Sequence, residues 1–189
     1  MDKLDFSNKN ILEKVFGDNL NIDEKIASLK QDVDNDSNLK ASIGLGLLYH
    51  YGIGVDKDYK EAKKWFEKAN IFFQNSSDIE YELGLIYLEE QDYKNAKSSF
   101  ERASNNGNID AFYQLGCLYR DNQNYEEAVN YFKKATENKH LEAQYELGLL
   151  YYFGLGVDLN KEKAEYLFYK SAKKGNISSK IFLDLIDDD

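Results

Sequence analysis

The chain has 189 residues and a formal charge of −10; 42% of it is hydrophobic and 14% aromatic. That is ample apolar mass for a buried core, so a largely disordered chain is excluded, and the acidic balance opposes binding through phosphates or anionic lipid, which needs clustered Lys and Arg. Cys117 is the only cysteine, so an intramolecular disulfide is impossible and a cytoplasmic location is expected.

The first residues, Met1-Asp2-Lys3-Leu4, have no apolar run behind a basic end, so a standard signal peptide is not expected. Ile11, Leu12, Val15 and Phe16 suggest a first helix. Asn21 followed by Glu24 marks the start of a second, striped by Ile22, Ile26, Leu29 and Val33. Together they read as a degenerate hairpin over residues 1–36 that caps the rest of the chain. Asp32-Val33-Asp34-Asn35-Asp36 alternates carboxylates as a calcium loop does. Ser37 and Ile43, however, stand where the turn glycine and the bidentate glutamate belong, so the segment reads as an inter-helix turn.

From residue 37 to 178 the chain repeats itself. Leucine and glycine adjoin, with tyrosine three residues on, at Leu45-Gly46…Tyr49, Leu83-Gly84…Tyr87, Leu115-Gly116…Tyr119 and Leu147-Gly148…Tyr151. Downstream stand Ala62/Phe66/Ala69, Ala96/Phe100/Ala103, Ala128/Phe132/Ala135 and Ala164/Phe168/Ser171. The units run about 41–76, 77–110, 111–142 and 143–178, and a period of that size marks a helical solenoid. Ile79, Leu83 and Tyr87 lie at i, i+4 and i+8 on one helix face, and Ala96, Phe100 and Ala103 give a second, so each unit is a helical hairpin. In the second unit helix A covers about 77–88 and helix B about 92–104, with Gln91-Asp92 between them and Gln123-Asn124 at the same place in the third. Ser77-Asp78-Ile79-Glu80 predicts a capping box at the start of helix A. With no proline, turns rest on Gly, Asn and Asp, as in Asn105-Asn106-Gly107-Asn108. The first and fourth units carry longer loops, Gly52-Ile53-Gly54-Val55 and Gly154-Leu155-Gly156-Val157, whose glycines allow positive φ while the valine tucks back. A dinucleotide reading fails, because no strand precedes them and the third glycine is missing. The apolar stretch 43–55 is broken by glycines and by His50, and it is too short to cross a bilayer. Residues 179–186 read as a lone A-type helix, with Asp184 where glycine stands in the repeats. Asp187-Asp188-Asp189 reads as a solvated tail.

The units built on Gly84/Ala96/Phe100/Ala103 and Gly116/Ala128/Phe132/Ala135 resemble tetratricopeptide repeats. The longer ones, with Gly52-x-Gly54-Val55…Asp58…Ala62…Trp65 and Gly154-x-Gly156-Val157…Ala164, resemble the Sel-one-like variant. Departures are the absent proline after helix B, Asn160 and Leu167 in place of aspartate and tryptophan, and the short middle units. The resemblance implies an all-α fold, a right-handed α-solenoid of antiparallel helix-turn-helix repeats, whose A helices line a concave groove. It also implies a non-enzymatic adaptor or scaffold that binds protein or peptide.

Three rows of A-helix residues lie off the Leu-Tyr face and are the candidate partner-binding residues. Two before each leucine stand Ile43, Tyr81, Tyr113 and Tyr145; five before stand Lys40 and, as the candidates of that row, Asp78, Asp110 and Glu142; five after stand His50, Leu88, Arg120 and Tyr152. An aromatic ladder beside carboxylates suits a segment bearing Lys or Arg. The alternative is that the tyrosines pack between A helices while the acids favour helix N-termini. A protein or peptide with a basic surface is therefore the expected partner, with no nucleic acid, no membrane and a monomer or weak dimer.

Catalytic and metal motifs are weak. Ser171-Ala172-Lys173-Lys174 and Ser37-Asn38-Leu39-Lys40 match Ser-x-x-Lys without the companion motifs, and the paired cysteines of β-lactam-binding relatives are missing. His50 and His140 lack ligand partners at metal spacing, and Cys117 has no histidine nearby in sequence to activate it. No cofactor or metal is expected. Two other functions stay open: an immunity protein that neutralises a basic toxin, and a β-lactam-binding hydrolase.

Overall fold

The computed structural model describes residues 22–34, 39–73 and 76–187, which form ten helices and no strand among the described residues. They are α1 (Ile22–Asp34), α2 (Leu39–Tyr51), α3 (Tyr59–Phe73), α4 (Ser77–Glu89), α5 (Tyr93–Asn105), α6 (Ile109–Asp121), α7 (Tyr125–Glu137), α8 (Leu141–Phe153), α9 (Lys161–Ala172) and α10 (Ile177–Asp187). Consecutive helices pack on one another within two compact units that divide between Asn75 and Ser76. The expected helix around Ile11, Leu12, Val15 and Phe16, the residues Asn35, Asp36 and Ser37, and the tail residues Asp188 and Asp189 lie outside the described residues.

In the first unit α1 packs on α2 and α2 on α3. Ile26 and Leu29 of α1 join Ala41, Leu45, Leu48 and Trp65 in the core, with Ile53 and Val55 of the glycine loop packed against it. Asp32, Val33 and Asp34 belong to the last turn of α1, so the segment expected as a turn is helical for at least three residues more.

In the second unit α4/α5, α6/α7 and α8/α9 are hairpins, and α10 stands alone after them. Every hairpin has the same seam. A Cβ built on Gly84, Gly116 or Gly148 would lie 2.5 Å from the ring of Phe100, Phe132 or Phe168, and at Gly46 in the first unit 2.7 Å from Phe66. Those phenylalanines are completely buried, as are Ala96, Ala128 and Ala164. The glycine is therefore the seat of the aromatic ring, and a side chain there would push the helices apart.

Each hairpin is also closed by the same backbone bond. The amide of Asp58, Asp92, Asn124 or Asn160 donates to the carbonyl of the motif tyrosine, Tyr49, Tyr87, Tyr119 or Tyr151, at 2.8–2.9 Å. The side chains of the same Asp and Asn residues then cap helix B, with Asn95 N–H donating to Asp92 at 3.1 Å and Lys163 N–H to Asn160 at 2.8 Å. Between hairpins, Asn108, His140 and Asn176 N–H donate to Ala103, Ala135 and Ser171 carbonyls, and the same three side chains cap the next A helix. Asn160 does the capping an aspartate would do, and Leu167 is buried where tryptophan was expected, so neither departure disturbs the hairpin.

Two further local expectations fail. The capping box does not form: Ser76 precedes the helix without a side-chain cap, and Ser77 donates to Asp78 at 3.4 Å. Glu80 is buried, and Arg102 of α5 donates to it at 2.8 Å. In the next hairpin the equivalent pair is Phe112 with the Lys134 ammonium 5.6 Å from its ring. The turns do not rest on Gly, Asn and Asp alone either. Gln91 and Gln123 take φ of 60° and 59° in the short turns, and Lys139 takes 67° where Gly107 and Gly175 stand between the other hairpins. The long loops use glycine, with φ of 67° and 70° at Gly52 and Gly54, and 66° and 65° at Gly154 and Gly156.

Candidate functional site

Within the second unit, α4, α6 and α8 bring their off-seam faces together, and the three rows expected from sequence meet different fates. Tyr81, Tyr113 and Tyr145 are half-buried, each against the phenylalanine of its own hairpin: 5.8 Å and 50° to Phe100, 6.0 Å and 43° to Phe132, 5.7 Å and 51° to Phe168. Each also reaches the following A helix. Tyr81 hydrogen-bonds with Gln114, Tyr113 stacks on His140 at 4.6 Å and 21°, and Tyr145 meets Phe182 edge-on at 6.4 Å. Burial raises all three phenols, Tyr81 to about 12. They stay neutral, half-buried rings that bridge helices.

The acidic row is more open. Asp110 and Glu142 keep 60% and 59% of their side chains exposed, and Asp78 is half-buried, accepting from Asn108 Nδ2 at 3.3 Å. His140 sits among them. Its Nδ1 accepts the Ala143 N–H at 3.2 Å, which leaves the ring proton on Nε2, facing Asp110 at 3.3 Å. Glu142, 3.4 Å from Nδ1, therefore receives no hydrogen bond from that nitrogen.

The third row is tied down. Leu88 packs on the core of the second hairpin, and Tyr152 lies against Phe182 at 5.3 Å with the Lys161 ammonium 5.0 Å from its ring. Arg120 contacts Glu146 at 2.6 Å and Asp121 at 2.8 Å. Burial opposes the charge of the guanidinium, but the hydrogen bond and charge of Glu146 hold it firmly protonated. Cys117 accepts from the Tyr113 hydroxyl, and burial pushes its thiol up to about 11, so it is a poor nucleophile at neutral pH.

Ile43 and His50 belong to the first unit. Ile43 is half-buried. His50 is 1% exposed and stacked on Tyr51 at 4.3 Å, so it offers no surface to a partner and leaves the set.

Gln114, Glu146 and His140 were absent from the expected rows. The first two, with the buried Glu82, stand immediately before the repeat leucines, and that periodic polar position is the signal that could have found them. No group of three or more His, Cys, Asp or Glu side chains among the described residues could hold a metal ion. None of the described helices is long and apolar enough to cross a membrane.

The sequence matches the Sel1 repeat over residues 39–70 and 141–176, and the tetratricopeptide repeat over 80–105 and 109–139. A Sel1 repeat protein from Oxalobacter formigenes is similar at 29% identity and a TM-score of 0.73, covering 90% of this chain and 71% of its own. The protective antigen c5321 of uropathogenic Escherichia coli, with an SLR fold, is 30% identical with a TM-score of 0.72; the match spans 85% of this chain but 35% of that one. YrrB, a TPR protein with an unusual peptide-binding site, is 25% identical with a TM-score of 0.59, covering 93% of this chain and 87% of its own. No curated protein matches the sequence.

Proposed function

We propose, for a chain that is an α-solenoid repeat protein of the tetratricopeptide and Sel1-like type, that it is a non-catalytic interaction module whose α4, α6 and α8 face receives a Lys- or Arg-bearing segment of another protein. The observation that carries this reading is the charge of that face. Asp110 and Glu142 stand exposed at the same repeat position, Glu146 and Asp121 neutralise Arg120, and the half-buried Tyr81, Tyr113 and Tyr145 belong to the same helices. A cationic side chain gains charge pairing with the acids and contact with the rings, whereas an acidic segment meets repulsion. The similarity to YrrB supports peptide as the ligand form.

The test uses fluorescently labelled peptides alternating Lys or Arg with apolar residues, against the same peptides with Glu in place of the cations, read by anisotropy. The basic peptides bind and the acidic ones do not. Asp110→Lys combined with Glu142→Lys weakens binding at least about tenfold, on the order of 1.4 kcal/mol, with an unchanged far-UV spectrum. Equal binding of both peptide classes, or an unaffected double variant, removes the face from the site.

A further inference from the structure

Ile177, Ile181 and Leu185 recur at i, i+4 and i+8 along α10, on one face, and are 73%, 55% and 62% exposed. In the repeat register they occupy the positions of Leu141, Tyr145 and Leu149 in α8, all half-buried. There the following A helix lies over the row, with Phe182 against Tyr145, just as His140, the N-cap of α8, lies over Tyr113 of α6. α10 keeps the apolar pattern of an interior A helix and leaves it exposed.

Two further features constrain the occupant of that face. Asp184, exposed, stands where Gly84, Gly116 and Gly148 seat a phenylalanine, so α10 lacks the seat for a helix B of its own and is ill suited to begin another hairpin. The charges are also polar along the axis. Lys173 and Lys174 are exposed just before the helix begins and Lys180 in its first half, whereas Asp184 lies near its end. A parallel copy would set like charges together. An antiparallel copy sets Ile181 against itself and Ile177 against the other copy's Leu185, turns Asp184 of each helix towards the lysines of the other, and opposes the helix dipoles.

We propose that α10 is a self-association helix, through which two copies of this chain pair antiparallel about a two-fold axis at Ile181. This pairing is independent of what the α4, α6 and α8 face binds. Three such side chains expose on the order of 300 Å², well under the roughly 800 Å² that each partner gives a standard interface. The dimer is accordingly weak, dissociating between about 10 µM and about 1 mM.

Sedimentation velocity of the full chain across that concentration range tests it. A monomer–dimer equilibrium with nothing larger is expected, abolished by Ile181→Asp with the circular dichroism unchanged, since that side chain is already largely in solvent. Lys173→Glu with Lys174→Glu weakens the dimer about tenfold, on the order of 1.4 kcal/mol, and adding Asp184→Lys restores part of it. In a Cys117→Ser background, Ile181→Cys cross-links to itself under mild oxidation. A chain that stays monomeric at the highest concentration overturns the proposal, as do assemblies growing beyond the dimer, an Ile181→Asp variant that still pairs, or failure of the cross-link in a sample that dimerises.

Discussion

The hairpins α4/α5 and α6/α7 turn within a few residues, whereas α8/α9 needs the loop from Gly154 to Asn160, yet all three arrive at one geometry. The phenylalanine ring sits equally close over Gly84, Gly116 and Gly148, and the capping amide finds the motif tyrosine carbonyl at 2.8–2.9 Å across either connection. The packing of ring on glycine sets the angle between the helices, and the connection only has to deliver the chain to the next cap. The two routes differ in where they place backbone strain. The short turn puts Gln91 or Gln123 in the left-handed region, which disfavours a side chain; the long loop puts Gly154 and Gly156 there, which avoids that cost.

The largest effect should come from breaking what the two kinds of hairpin share. Gly116→Leu and Gly148→Leu each drive a side chain into a buried phenylalanine ring and should cost about 3 kcal/mol or more in chemical denaturation, while the exposed Glu127→Gln stays within about 0.5 kcal/mol. Similar melting for all three variants would contradict the shared seam.

Next comes a change confined to the long hairpin. Gly156→Ala puts a Cβ into the backbone of Tyr125 and Glu126 at a positive φ, and should cost about 2–3 kcal/mol. Gly154→Ala meets the Leu159 side chain at 3.1 Å and should cost nearer 1 kcal/mol, so the order of the two variants reports whether the loop is held against α7. Removing the caps should be milder and alike in both kinds: Asn160→Ala and Asn124→Ala should each lose about 1 kcal/mol, and a markedly larger loss in either would mean that its connection carries more than a cap. The smallest effect is a gain. Gln123→Gly relieves the left-handed φ of the short turn and should add up to about 1 kcal/mol, read as a raised midpoint.

Much of this was legible in the sequence because it depends on side-chain size at fixed spacing. The recurrence of Gly84, Ala96 and Phe100 in every unit, with a small residue at the position of Ala103, records a steric fit, and Asp92, Asn108 and Asn124 stand where a helix start needs an acceptor. The failures are places where one local pattern has two physical uses. Ser77 and Glu80 have the spacing of a capping box, but the helix turns Glu80 towards α5, where Arg102 offers a charge-assisted bond 22 residues away. Gln91, Gln123 and Lys139 carry no local preference for positive φ, and the seam on either side forces it. Helical phase put the tyrosine and acid residues on α4, α6 and α8, where the structure has them. How much of each tyrosine stays open is settled by His140 over Tyr113 and Phe182 over Tyr145, residues one repeat further on.

The sequence by itself determined the repeat, its hairpins and the acidic first turns of α4, α6 and α8, because sterics and charge at a regular period survive without knowledge of neighbours. Only the tertiary structure decided that His50 is sealed away, that Arg120 is neutralised by Glu146, and that the stripe on α10 lies open. Each of these depends on which helix lies over a given face, and that is a property of stacking rather than of any one segment.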